Sequence, residues 1–138
     1  MAAAGKKLLT CLKKRDLLNN EKTSRSELLN YGELYVQQGR LADAIDFFER
    51  AQYFEGLTQL RQHCINEGDY FLTQRLSKIL ENPLDSAEAV QLGDSALRQG
   101  KLLFARAAYQ QADHPEKLAQ IEKLISHSRD EQTSDTIH

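Results

Sequence analysis

A 28-residue block occurs twice in this chain, as SRSELLNYGELYVQQGRLADAIDFFERA from Ser24 to Ala51 and as DSAEAVQLGDSALRQGKLLFARAAYQQA from Asp85 to Ala112, at an offset of 61 residues. Both copies carry apolar residues at the three- and four-residue steps of a helix, so the duplication predicts stacked helical hairpins. Such an architecture is all-α, and its product is a surface rather than a reaction centre.

The types of the seven shared residues matter more than their number: Glu27/Glu88, Gly32/Gly93, Gln38/Gln99, Gly39/Gly100, Leu41/Leu102, Ala44/Ala105 and Ala51/Ala112. Gly39 and Gly100 fall where a first helix should end, because glycine takes the left-handed conformation that reverses the chain. Gly32 and Gly93 fall inside that helix, where glycine costs about 1 kcal/mol relative to alanine and needs a packing reason. Twelve positions on, Ala44 and Ala105 supply a small partner, so the pairs Gly32/Ala44 and Gly93/Ala105 are expected to meet where the two helices cross. Ser24 and Asp85 each stand three residues before a glutamate, the spacing of a capping box.

Between the copies, Leu57, Leu60, Arg61, Cys64 and Ile65 form a stripe ending at Gly68, and Asp69 can cap a helix bearing Leu72, Leu76, Ile79 and Leu80 that stops before Asn82-Pro83. About three hairpins are therefore expected over 24–126. A basic helix from Lys6 to Asn19 within 1–23 is expected as an N-terminal cap, with Leu8, Cys11, Leu12 and Leu18 on its inward arc. A C-terminal capping helix from Glu116 to about Ser126 follows, and 127–138 reads as a flexible polar tail.

The run Leu28, Tyr31-Gly32, Tyr35, Gly39, Ala44, Phe48, Ala51 resembles the tetratricopeptide repeat, and Leu92-Gly93, Ala96, Gly100, Ala105, Tyr109, Ala112 follows the same plan. The resemblance implies a right-handed α-solenoid whose first helices line a concave face. Positions there not needed for packing are Asn30, Glu33, Gln37, Gln59, Gln62, Asn66, Gln91, Asp94 and Arg98. Family members that grip a terminal carboxylate use Lys, Arg and Asn on these faces, whereas Leu29 and Glu33 stand in such places here. The expected ligand is instead a peptide or protein whose backbone the amides hydrogen-bond.

Charge supplies the competing reading. Residues 1–25 hold seven Lys or Arg against Asp16 and Glu21, a net of +5, while the whole chain carries −2. Lys6, Lys7, Lys13, Lys14 and Arg15 could thus meet nucleic acid or an anionic membrane, although a solvated basic helix, or one attracted to the acidic remainder, is the plainer expectation.

No motif for acyl transfer, zinc hydrolysis or phosphate binding is present, so no enzyme, cofactor, metal site or small-molecule substrate is expected. His63 and Cys64 diverge by about 100° around a helix and make a poor chelating pair. Two cysteines 53 residues apart match neither a metal knuckle nor a disulfide framework, and the expectation is a reduced, cytoplasmic protein with both thiols structural.

Overall fold

Where a helix ends in a left-handed residue, the N–H of that residue and the next one close back onto its last turn, and this closure ends six of the described helices. The computed structural model describes the backbone of residues 8–137 and the side chains of residues 8–130. Among the described residues there are eight α-helices and no strand: α1 (Cys11–Asn19), α2 (Arg25–Gln37), α3 (Leu41–Arg50), α4 (Phe54–Asn66), α5 (Tyr70–Ile79), α6 (Ser86–Arg98), α7 (Leu102–Ala112) and α8 (Pro115–Ile137). The all-α class is as expected.

Helices α2, α4 and α6 end at Gly39, Gly68 and Gly100, with φ of 73°, 71° and 74°. Helices α3, α5 and α7 end at residues that are left-handed without being glycine: Gln52, Glu81 and Asp113, at 54°, 51° and 54°. Each non-glycine site lies 13 positions after the preceding glycine. The closures share one pattern, with Arg40, Tyr53, Asp69, Asn82, Lys101 and His114 donating to the carbonyls of Tyr35, Phe48, Cys64, Ser77, Ala96 and Tyr109.

The chain divides into two compact units, Met1–Leu60 and Arg61–His138, and the division falls within α4. In the first unit α2 packs on α3 and α1 on α3. Its centre is aromatic: the ring of Phe47 stacks between Tyr31 and Tyr35 at 5.7 and 5.6 Å, with Leu28, Leu34, Ala44, Ile45 and Phe48 buried beside them. In the second unit α6 packs on α7 and α7 on α8. One cluster there joins Ile65, Leu84, Ala89, Leu92, Ala108 and Ala112, and another joins Ala96, Ala105, Tyr109, Ile121 and Ile125.

The nearest neighbour of each helical glycine is an aromatic ring. A Cβ on Gly32 would lie 2.3 Å from the Phe48 ring, and one on Gly93 would lie 2.4 Å from the Tyr109 ring. In each copy a flat ring is the nearest neighbour of the bare backbone, and Ala44 and Ala105 are fully buried nearby in sequence. Ring against backbone buries more apolar area than methyl against backbone, which favours this solution.

Both ends depart from expectation. Helix α1 starts at Cys11, not Lys6, because the Thr10 hydroxyl accepts from the Lys13 amide at 3.3 Å and caps it there. Leu17 and Leu18 are its half-buried apolar residues, Leu9 just before it is half-buried as well, and Cys11 and Leu12 are exposed. At the other end α8 continues past Ser126 to Ile137, and those added residues hold no glycine or proline to stop it.

Candidate interaction surfaces

Helix α4 sets Gln62 and Asn66 one turn apart, and α6 brings Gln91 to them. The Asn66 Oδ1 accepts from Gln62 Nε2 at 3.0 Å and from Gln91 Nε2 at 2.8 Å, and all three residues are exposed. This leaves the Asn66 amino group and both glutamine carbonyls for a partner, a mixed donor and acceptor set that matches a peptide backbone. Of the expected concave row, these three are the residues drawn together.

Asn30, Glu33 and Gln37 share one face of α2 in the first unit, with Asn30 half-buried and the other two exposed, and Gln59 is exposed on α4. Arg98 is exposed and donates to the Ser95 hydroxyl at 3.0 Å.

Asp94 does not offer a free carboxylate. Its Oδ1 accepts from the Tyr109 hydroxyl at 2.6 Å and from the Lys117 ammonium at 3.0 Å, tying α6 to α7 and α8. Burial alone would raise this carboxyl, but the bonds from Tyr109 and Lys117 outweigh it and hold the group below its ordinary 3.8. The Tyr109 hydroxyl is pushed up, first by burial and then by its bond to Asp94.

Sequence reasoning placed Arg61 on an apolar stripe, and it proves to be a buried polar hub. Its Nε donates to Ser77 Oγ at 3.0 Å, Nη2 to the Asn82 carbonyl at 3.0 Å, and Nη1 to Glu88 Oε2 at 2.7 Å. Glu88 also closes the capping box with Asp85, whose Oδ1 accepts from the Glu88 amide at 2.7 Å. The Arg61 bond is the main reason the Glu88 carboxyl lies below its ordinary 4.5, with burial opposing it. An arginine among Leu57, Leu60, Cys64 and Ile65 was the available signal, since a guanidinium at such a position must find acceptors.

The Lys14 ammonium bonds Asp43 and Asp46, both at 2.6 Å, and so pins α1 to α3. Lys13 and Arg15 are exposed, and Lys6 and Lys7 lie outside the described residues.

Cys64 is buried, and burial, then Asp69 and Glu67, pushes its thiol up to about 12, so it stays protonated and inert. Cys11 is exposed and outside the core. His63 is exposed, and among the described residues no three His, Cys, Asp or Glu side chains are grouped to hold a metal ion. No described helix is long and apolar enough to cross a membrane.

Comparison of the chain with protein-family models, with curated proteins and with solved structures finds no match.

Proposed function

We propose that this chain is a non-enzymatic interaction module that binds a segment of another protein through exposed amides on the first helices of tetratricopeptide-like hairpins. The finer fold reading, a right-handed α-solenoid of about three antiparallel hairpins with helical caps, is supported by the duplicated block and by the recurrence of left-handed residues 13 positions after each turn glycine. The observation that carries the functional reading is the Gln62–Asn66–Gln91 cluster. These side chains are exposed and bonded only to one another, so packing does not require them, while their remaining donors and acceptors fit a peptide backbone.

The test is affinity capture by the full tagged chain, with captured proteins identified by mass spectrometry. Gln91→Arg and Glu33→Lys should each cut recovery of a captured partner by about tenfold, which is about 1.4 kcal/mol, with helical circular dichroism unchanged. Equal recovery by the wild type and both variants would remove the amide faces from consideration. The alternative, a nucleic-acid or anionic-membrane contact through Lys13 and Arg15, is weakened by the engagement of Lys14 with Asp43 and Asp46. Salt-sensitive retention on RNA, abolished by Lys13→Gln with Arg15→Gln, would favour it instead.

A further inference from the structure

Seven residues before a turn glycine and nine after it, each copy of the block places a pair that meets across two helices: Gly32 with Phe48 around Gly39, and Gly93 with Tyr109 around Gly100. In both, a ring lies 2.3 or 2.4 Å from where a Cβ would stand on the bare backbone. The same count around Gly68 reaches Arg61 and Ser77. The backbone supports the count. Arg40, Asp69 and Lys101, each directly after its glycine, donate to the carbonyls of Tyr35, Cys64 and Ala96, each four residues before it. Arg61 and Ser77 are both buried and also meet, with Nε donating to Oγ at 3.0 Å. Small and large have changed places, so that the bulk comes from the first helix and the small residue from the second.

We infer that Arg61 is the positioning residue of the Gln62–Asn66–Gln91 cluster, a role that follows from this reversal of sizes in a third, diverged copy of the unit. Exchanging bulk across a contact conserves volume, which cores tolerate better than a change on one side alone. What differs is reach. A phenyl ring has no donor to extend past the contact, whereas a guanidinium carries a fork of N–H groups, of which Ser77 takes one. Three more go to the Asn82 carbonyl at 3.0 Å and to both carboxylate oxygens of Glu88 on α6 at 2.7 and 3.3 Å. Arg61 directly precedes Gln62 on α4, and Glu88 lies three residues before Gln91 on α6. The fork therefore fixes α4 against α6 in the register at which Asn66 Oδ1 accepts from Gln91 Nε2 at 2.8 Å. Its value to binding rests on the reading of the cluster as a peptide site; the reversal itself does not.

Urea denaturation of four full-length proteins tests the reversal, all carrying Glu88→Gln so that loss of the ion pair is common to them: the parent, Arg61→Gly, Ser77→Phe, and both together. Arg61→Gly empties the crossing and Ser77→Phe overfills it, so each should lower the midpoint, and the pair should be more stable than either alone. A pair no more stable than the better single variant would overturn the reversal. Positioning is read with Glu88 intact, from nuclear Overhauser contacts between the Asn66 and Gln91 side chains. These should be present in the wild type and in Ser77→Ala, which loses a hydrogen bond but keeps the fork. They should be lost in the folded Arg61→Gly, Ser77→Phe pair, which refills the crossing without the fork. Their survival in that pair, their loss in Ser77→Ala or their absence from the wild type would overturn the role of Arg61. Neither measurement involves a partner, so the capture experiment can fail while Arg61 keeps this role, and the reverse.

Discussion

Gly68 and Gly100 have the same backbone conformation, yet their surroundings separate them. A Cβ on Gly100 meets nothing within 4 Å, whereas one on Gly68 would lie 2.6 Å from the backbone nitrogen of Ala96 and 2.7 Å from its Cα. Gly100→Ala therefore bears only the left-handed strain and should cost about 1–2 kcal/mol in urea denaturation. Gly68→Ala adds a collision with α6 backbone that no side-chain rotation relieves, and its cost should exceed that of Gly100→Ala by at least about 2 kcal/mol; equal costs would contradict the close approach. The converse holds at Gln52, exposed and left-handed without being glycine, where Gln52→Gly should stabilise by up to about 1 kcal/mol. Arg61 bonds three separate groups at once. Arg61→Ala removes the guanidinium from Ser77, the Asn82 carbonyl and Glu88, which keeps only the Asp85 amide, and should cost about 3 kcal/mol or more, while Arg61→Lys, lacking the planar fork, should recover only part of it.

Elements are joined here by a few polar ties laid over apolar contacts. Helix α1 buries none of its residues fully, so Lys14 between Asp43 and Asp46 carries much of its attachment. Lys14→Gln should raise amide hydrogen exchange in α1 about tenfold while α2 and α3 keep their protection; uniform loosening of all three would show that the tie stabilises more than the cap. Tyr109 performs a related task for α6, α7 and α8, and Tyr109→Phe should cost about 1–2 kcal/mol while its ring still covers Gly93. The helices themselves were legible in the sequence, since Ser24, Asp69 and Asp85 are strong caps and Gly39, Gly68 and Gly100 strong stops. What occupies the space over Gly32 was not, because a bare backbone accepts a methyl or a ring equally well in one dimension. The end of α5 was legible from Asn82-Pro83, but the left-handed backbone at Gln52 and Glu81 was not, as neither residue type signals it. The amide row was visible as composition, but only three dimensions show that Gln62, Asn66 and Gln91 bond one another while Asp94 is drawn into a structural contact.

At the scale of the whole molecule these ties make stability depend on pH from both sides. Asp43, Glu88 and Asp94 are all held below their ordinary values by cationic or hydroxyl donors; burial opposes this in each case and is the largest single influence on Asp43 and Asp94. A carboxyl whose folded pKa is depressed contributes stability above its unfolded value and loses it as pH falls, since the unfolded chain takes up the proton first. The urea midpoint should therefore fall as pH drops through the ordinary values of 3.8 and 4.5, and Glu88→Gln with Asp94→Asn should lower the neutral plateau and flatten that decline. On the alkaline side the slope has the opposite sign, because the groups that titrate there have folded values above their unfolded ones. Cys64 ionises near 9.0 when unfolded and only at about 12 when folded, so unfolding releases a proton and stability falls as pH rises above 9. Lys14, raised from 10.5 because its bonds to Asp43 and Asp46 outweigh burial, and Tyr109, raised from 10.0 chiefly by burial, extend the loss to higher pH. Cys64→Ala isolates the first step: it should lower stability at neutral pH through the lost packing, yet leave the urea midpoint flat between pH 9 and the onset of tyrosine ionisation near 10.0, where the wild type already declines. A decline of equal slope in both proteins would assign that limb to some other group.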